Sequence, residues 1–339
     1  MKYLIPLLLL SSISAAAEIH MLTWSDYIDP EIPRQFQKQT GIEVKIDVYE
    51  ETESMMAKLQ AAGGDSQYDL VIVSDHAIPV LAKLGLISKL DLAKIPNAKN
   101  VEEQFRSPPY DPKGNWSLPY QWGTVGIIYR KNLAGFEPSW NAIFKPAGRF
   151  LMLDSMRDVT GAALKLNGGD INTHDPQQLK KAMETLLAAK QSDKFLGFDG
   201  SPSSAKKVVA GEADLAMVYN GDALNAMKED KTSSCDYVVP KEGSILWVDT
   251  MVVTDKAPNA DGAHQFINYL LDAKVGAQLS NYINYATPNA AAMPQIAEES
   301  RKNPRIYPSA DELKKMNYLE DVGDATSLYD EVWTAVKSR

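Results

Sequence analysis

The sequence predicts an α/β fold built as two doubly wound lobes, and three observations carry that expectation. The chain has 339 residues, 45% of them apolar, enough for about two domains of ~150 residues, each with its own core. Short β-like runs alternate with helical ones through the first hundred residues, the pattern of parallel strands covered on both faces. The same alternation returns beyond residue 150, without an internal sequence repeat or a low-complexity tract.

Each element rests on its local pattern. Residues 19–24 read as a strand, 30–39 as a helix stopped by Gly41, and 42–49 as a half-buried strand of alternating apolar and polar residues. Thr52 can cap a helix carrying Met55, Met56 and Leu59, which Gly63-Gly64 ends. Residues 68–73 are a short apolar run of buried-strand type, followed by a helix reaching Gly85. Further on, 150–153 is a strand leading through Asp154, read as an N-cap, into a helix closed by Gly168-Gly169. Residues 213–219 form another strand, turned by Asn220-Gly221 into a helix from Asp222. Residues 245–254 are a third strand, before a capped amphipathic helix from about 261 to 279. In such sheets ligands collect beyond the carboxyl ends of the strands. Trp24-Ser25-Asp26-Tyr27, Ser74-Asp75-His76, Asp154 to Asp158 and Tyr219-Asn220-Gly221-Asp222 stand at four such ends.

The N-terminus points to export. Lys2 precedes an apolar run over residues 3–10, then Ser11, Ser12 and Ala15-Ala16-Ala17, so residues 1–17 read as a cleavable signal peptide. The run is far short of the ~20 residues of a spanning helix, and no cysteine stands at the cleavage point to take a lipid. The expectation is a soluble periplasmic monomer with no membrane insertion. Cys235 is the single cysteine, which excludes an intramolecular disulfide and leaves an inert buried thiol as the simplest reading.

Composition and motifs exclude several functions. With 35 basic and 44 acidic residues, a net charge of −9, nucleic acid and anionic membrane are poor partners. There is no G-x-S-x-G, G-x-G-x-x-G, G-x-x-x-x-G-K or H-E-x-x-H motif, and His20, His76, His174 and His264 are scattered singly, so neither catalysis nor a cofactor or metal is expected. A site for a small cationic amine asks for less: carboxylates at the amines and aromatic faces along the methylenes, each ring worth about 0.5–2 kcal/mol to an ammonium. Trp247 and Asp249 lie two apart on a strand and so share a face. The same spacing also suits a buried tryptophan beside a structural aspartate. Trp24 and Tyr27 flank Asp26 as loop-anchoring aromatics would, and Asp158 and Asp222 stand near helix starts, where the macrodipole favours acids without any ligand.

At these residues the chain resembles the periplasmic spermidine/putrescine-binding proteins of ABC transporters along nearly the whole mature length. The matching segments are Trp24-Ser25-Asp26-Tyr27-Ile28, Tyr68-Asp69-Leu70-Val71-Ile72-Val73-Ser74, Pro119-Tyr120-Gln121-Trp122-Gly123, Tyr219-Asn220-Gly221-Asp222, Pro240-Lys241-Glu242-Gly243, Trp247-Val248-Asp249, Tyr285-Ala286-Thr287-Pro288-Asn289 and Ile306-Tyr307-Pro308. The resemblance implies a type II-like solute-binding fold, two lobes joined by a hinge and closing on ligand. Its chain would cross near Gly126, Thr250 and Pro294, giving 18–125 plus 251–293 as lobe 1 and 126–250 plus 294–339 as lobe 2. It places ring contacts on Trp24, Tyr27, Tyr219, Trp247 and Tyr285, and amine-binding carboxylates on Asp158, Asp222 and Asp249 with Asp26 nearby. Ser25 and Ser74 match positions that contact ligand through hydroxyl or backbone groups. The implied partner is an inner-membrane ABC permease. Asp222, Ser155 in place of an acid and Leu319 in place of a glutamine favour putrescine over spermidine, while His76, at a position usually tyrosine or serine, leaves room for another cationic amine. The rivals are a spermidine binder or polyamine sensor on the same scaffold, a secreted carboxylate-dependent hydrolase, and an envelope protein-interaction module.

Overall fold

A computed structural model describes residues 17–49, 52–61 and 67–338. Residues 1–16 of the expected 1–17 signal peptide and the Gly63-Gly64 helix stop lie outside the described residues.

Nine strands are formed among the described residues: β1 Glu18–Thr23, β2 Glu43–Val48, β3 Leu70–Ser74, β4 Leu118–Arg130, β5 Phe150–Leu153, β6 Phe195–Asp199, β7 Leu215–Tyr219, β8 Cys235–Val238 and β9 Leu246–Val253. They hydrogen bond in the order β2-β1-β3-β9-β4-β7-β5-β6, with β8 also on β4. β1 is parallel to β2 and β3, and β5 is parallel to β6 and β7, as the βα alternation predicts. β9 departs from that expectation, since it runs antiparallel to both β3 and β4. The architecture is therefore a mixed α/β sheet in which a returning strand is inserted between β3 and β4.

β4 was not legible as a strand, because Pro119, Gly123 and Gly126 all argue against a central position. Its glycines have a packing reason. A Cβ at Gly123 would collide with the Trp247 ring and the Asn220 side chain, and one at Gly126 would collide with the Tyr237 hydroxyl. Residues of β4 up to Thr124 pair with β9, while those from Val125 onward pair with β7 and β8. One strand thus runs through both halves of the sheet, and its first eleven residues are buried.

Helix boundaries differ from the sequence reading in three places, each for a local reason. The helix Met156–Leu166 is capped by Ser155, whose hydroxyl accepts from Asp158 N. Asp154 instead pairs with Lys337 at 2.7 Å. Asn220-Gly221 is not a turn but the first turn of the helix Asn220–Glu229. Buried Asn220 is held there by tertiary bonds, accepting from Thr124 N (3.1 Å) and donating to Arg305 O (2.9 Å). The helix expected over 261–279 is two, Ala260–Leu270 capped by Asn259 and Ala273–Ile283 capped by Asp272. Asp272 captures the amides of Lys274 and Val275 and starts a second helix. Gly41 closes Glu31–Thr40 as expected, at φ 78°. Cys235 is a free, buried thiol on β8. No helix among the described residues is long and apolar enough to cross a membrane.

Candidate functional site

The site grows from the middle of β9. Trp247 and Asp249 point from the same face of this strand, which is flanked by hydrogen-bonded neighbours on both sides and buried along its whole length. Ser74, at the carboxyl end of β3, is the register partner of Asp249 and donates its hydroxyl to Asp249 Oδ1 at 3.3 Å. The loop after β1 brings Tyr27, which donates to Asp249 Oδ2 at 2.6 Å.

Two further tyrosine–aspartate pairs repeat this arrangement. Tyr219, at the end of β7, donates to Asp158 Oδ2 at 2.8 Å, and Ser155 donates to the same oxygen at 2.7 Å. Asp222, in the first turn of Asn220–Glu229, faces the Tyr285 and Ser201 hydroxyls, which favour its charged form. The rings of these tyrosines join Trp247 in one edge-to-face cluster. Tyr219 and Tyr285 lie 5.8 and 4.9 Å from the Trp247 ring, and Tyr27 lies 5.7 Å from Tyr285. Trp24 continues the wall, 5.7 Å from Tyr27 and 4.8 Å from Tyr49. Gly221 lets the cluster close, since a Cβ there would come within 2.5 Å of the Tyr285 ring.

Not every expected residue joins the cluster equally. Asp26 is exposed, in the left-handed region at φ 54°, and acts on Asp222 through its charge. Ser25 is exposed beside it, and the structure does not bring its side chain into the hydrogen-bonded group. His76 sits with Nδ1 3.5 Å from Asp75 Oδ1 and within electrostatic reach of Asp158. Sequence reasoning passed over Asp75, which is only 1% exposed and takes the amides of His76 (2.7 Å) and Val248 (3.2 Å). The single legible signal was its place between two site candidates at the end of β3. Gln121, the register partner of Asp249, carries no signal of its own in the sequence. It too is buried, and its Oε1 has no partner among the described residues; the same holds for Trp247 Nε1 and Tyr110 Oη.

Withdrawal from water governs the electrostatics. Burial pushes Asp249 up to about 7 against the pull of the Tyr27 and Ser74 hydroxyls, with the charges of Asp75 and Asp158 adding to the rise. Burial likewise raises Asp222 to about 6 and lifts Asp158 above the ordinary carboxylate range. The hydroxyls of Tyr27, Tyr219 and Tyr285 are held protonated far above neutral pH, first by burial and then by the aspartates they face. Each carboxylate keeps unused lone pairs after accepting its hydroxyls. Walls of ring faces carrying anionic oxygens can hold an organic cation. Among the described residues no group of three His, Cys, Asp or Glu side chains is placed to hold a metal ion.

A site of captured charge on a mixed α/β sheet is the mark of a solute-binding protein. The chain belongs to the family of bacterial extracellular solute-binding proteins, whose model matches residues 31–307. It is similar to spermidine/putrescine-binding periplasmic protein 1 of Haemophilus influenzae, at 35% identity over 94% of this chain and 89% of that one. It is also similar to a putrescine/cadaverine-binding protein of Pseudomonas aeruginosa, at 31% identity over 96% and 95% of the two chains. A solved structure from Listeria monocytogenes, described as a spermidine/putrescine ABC transporter, superposes with a TM-score of 0.87 at 32% identity, covering 94% of this chain and 98% of that one. The family points to a binding role.

Proposed function

We propose that this chain is a periplasmic binding protein that captures a polyamine, putrescine in preference to spermidine, and delivers it to an ABC permease of the inner membrane. The observation that carries this reading is the convergence of three tyrosine–aspartate pairs, Tyr27–Asp249, Tyr219–Asp158 and Tyr285–Asp222, around Trp247. An alkyl diamine matches such a site chemically: ammonium groups take charge-assisted bonds from the aspartates, and methylenes lie on ring faces. A micromolar ligand needs about 8 kcal/mol in all, within reach of two such charge pairs and a few rings.

In this reading residues 1–17 direct export and are removed, and the mature protein works as a monomer. Residues 18–125 with 251–293 and residues 126–250 with 294–339 act as two lobes about a hinge. Tyr285 and Asp222 then face each other across the two, so a cation held between them favours the closed arrangement. Calorimetric titration of the mature protein with putrescine and spermidine tests the proposal. Saturable one-to-one binding, tighter for putrescine and without turnover, is the expected result. Silence toward both amines, or release of a reaction product, sinks it.

A further inference from the structure

Two side chains of the helix Asn220–Glu229 that take no part in the aromatic cluster reach across to the segment that carries Tyr285. Asn284, the residue before Tyr285, is only 3% exposed. Its amide oxygen accepts from Lys228 Nζ at 2.5 Å, and its amide nitrogen donates to Asn225 Oδ1 and to Tyr282 O. Asn225 returns a bond from its own Nδ2 to Ile283 O at 3.3 Å. Asn225 and Lys228 follow Asp222 on one helix, while Asn284 ends another, Ala273–Ile283. The element presenting the carboxylate and the element presenting the tyrosine are therefore bonded to each other away from the point where carboxylate and tyrosine meet.

A local explanation of Asn284 does not suffice. It lies in the left-handed region at φ 61°, the conformation in which helices commonly end, on glycine or sometimes asparagine. Glycine meets that need with less strain, whereas a buried amide has to find partners at both its ends. Those partners come from 56 and 59 residues away, on a different element. Close packing does not hold the seam either. A cavity of about 290 Å³ opens beside it, with Leu224, Met227, Lys228, Asn284 and Ile306 in its walls. Side chains facing a void lose contact partners on that side, so the polar bonds decide how firmly the two elements stay together.

We propose that Asn225, Lys228 and Asn284 form a latch that keeps Tyr285 facing Asp222, as positioning residues that touch no ligand. This inference rests on the polyamine reading above and concerns the same site. When the binding arrangement is only fractionally populated, apparent affinity falls by that fraction, whatever the ligand. The latch thereby scales the affinity for every amine by one common factor and leaves selection among amines to the cluster. Charge alone predicts the reverse for Lys228: an ammonium on the helix of Asp222 repels a cationic ligand, so removing it would tighten binding.

The test is calorimetric titration of putrescine and spermidine into wild-type protein and the variants Asn284→Gly and Lys228→Met, with thermal unfolding followed alongside. Asn284→Gly keeps the left-handed helix end and removes the two cross-links of the asparagine. It is expected to keep its melting temperature and to weaken both amines by the same factor, about three- to tenfold, the net worth of one or two hydrogen bonds. Lys228→Met is expected to weaken both about threefold. Tighter binding in Lys228→Met, a loss confined to one amine, or undiminished affinity in Asn284→Gly overturns the latch. Amide hydrogen exchange of the amine-free protein supplies a readout that needs no ligand. Residues 222–229 are expected to exchange faster in Asn284→Gly than in wild type, although the substitution lies on another helix; unchanged exchange there also overturns the latch. If the wild-type protein binds neither amine, the polyamine reading fails, and the exchange rates still decide whether the latch exists.

Discussion

Asp249 and Asp222 each face a tyrosine hydroxyl beside one aromatic cluster, yet the fold holds them by opposite means. Asp249 projects from a central strand with hydrogen-bonded partners on both sides, and its nearest charges, Asp75 and Asp158, are negative. Asp222 sits in the first turn of a helix, where free amides favour an anion, and is only half-buried. Burial accordingly lifts Asp249 to about 7 and Asp222 to about 6. The difference teaches that the strand position leaves its negative charge uncompensated, while the Lys206 charge and the helix start offset part of the cost at Asp222. A bound cation has more to gain at Asp249.

The comparison breaks most directly under substitution. Asp249→Asn is expected to weaken putrescine about 100-fold, or ~3 kcal/mol, in the range for a truncated buried charge pair. Asp222→Asn is expected to weaken it about tenfold, with calorimetry as the readout. Equal losses at the two positions would show that the helix start contributes nothing.

A smaller effect follows from pH. A cation binds the ionised carboxylate, so affinity is expected to fall about tenfold between pH 8 and pH 6, as Asp249 takes up its proton. The Asp249→Asn variant should lose most of this dependence. Stability moves the same carboxyl in the other direction. Its folded value of about 7 lies above its ordinary 3.8, so the folded state holds more protons than the unfolded chain between those values. The contribution is fully present below about 3.8 and is lost as pH rises through about 7, so protein without amine should melt at a lower temperature at pH 8 than at pH 5.5. A melting temperature that climbs across that interval would show that Asp249 is not the buried acid described.

The smallest effect concerns Asp158. Its helix depends on the Ser155 cap, and Ser155→Ala is expected to cost about 1 kcal/mol in chemical denaturation. It should also weaken putrescine only severalfold, because Tyr219 still holds the Asp158 carboxylate.

How much of this was legible in the sequence differs by element. Residues 150–153 and β9 announced themselves by unbroken or alternating apolar runs, and period-two spacing placed Trp247 and Asp249 on one face. The break at Asp272 was hidden because Leu270, Leu271 and Ala273 continue an apolar pattern across it; only the cap shows where the second helix begins. Asn220-Gly221 carries a strong local turn signal that tertiary bonds to Thr124 and Arg305 and the Tyr285 ring override. Asp75 could not be singled out locally, because the amide that fixes one of its oxygens belongs to Val248, 173 residues away.

β4 carries a mechanical consequence. Because a single uninterrupted strand is bonded into both halves of the sheet, with the changeover between Thr124 and Val125, the halves share an axle rather than a tether. Sliding them apart would tear the ladder, so relative movement there reduces to torsion about a few peptide units. The Thr124 amide and hydroxyl are already engaged by Asn220 and Tyr237, so any such swing pulls on the helix that presents Asp222.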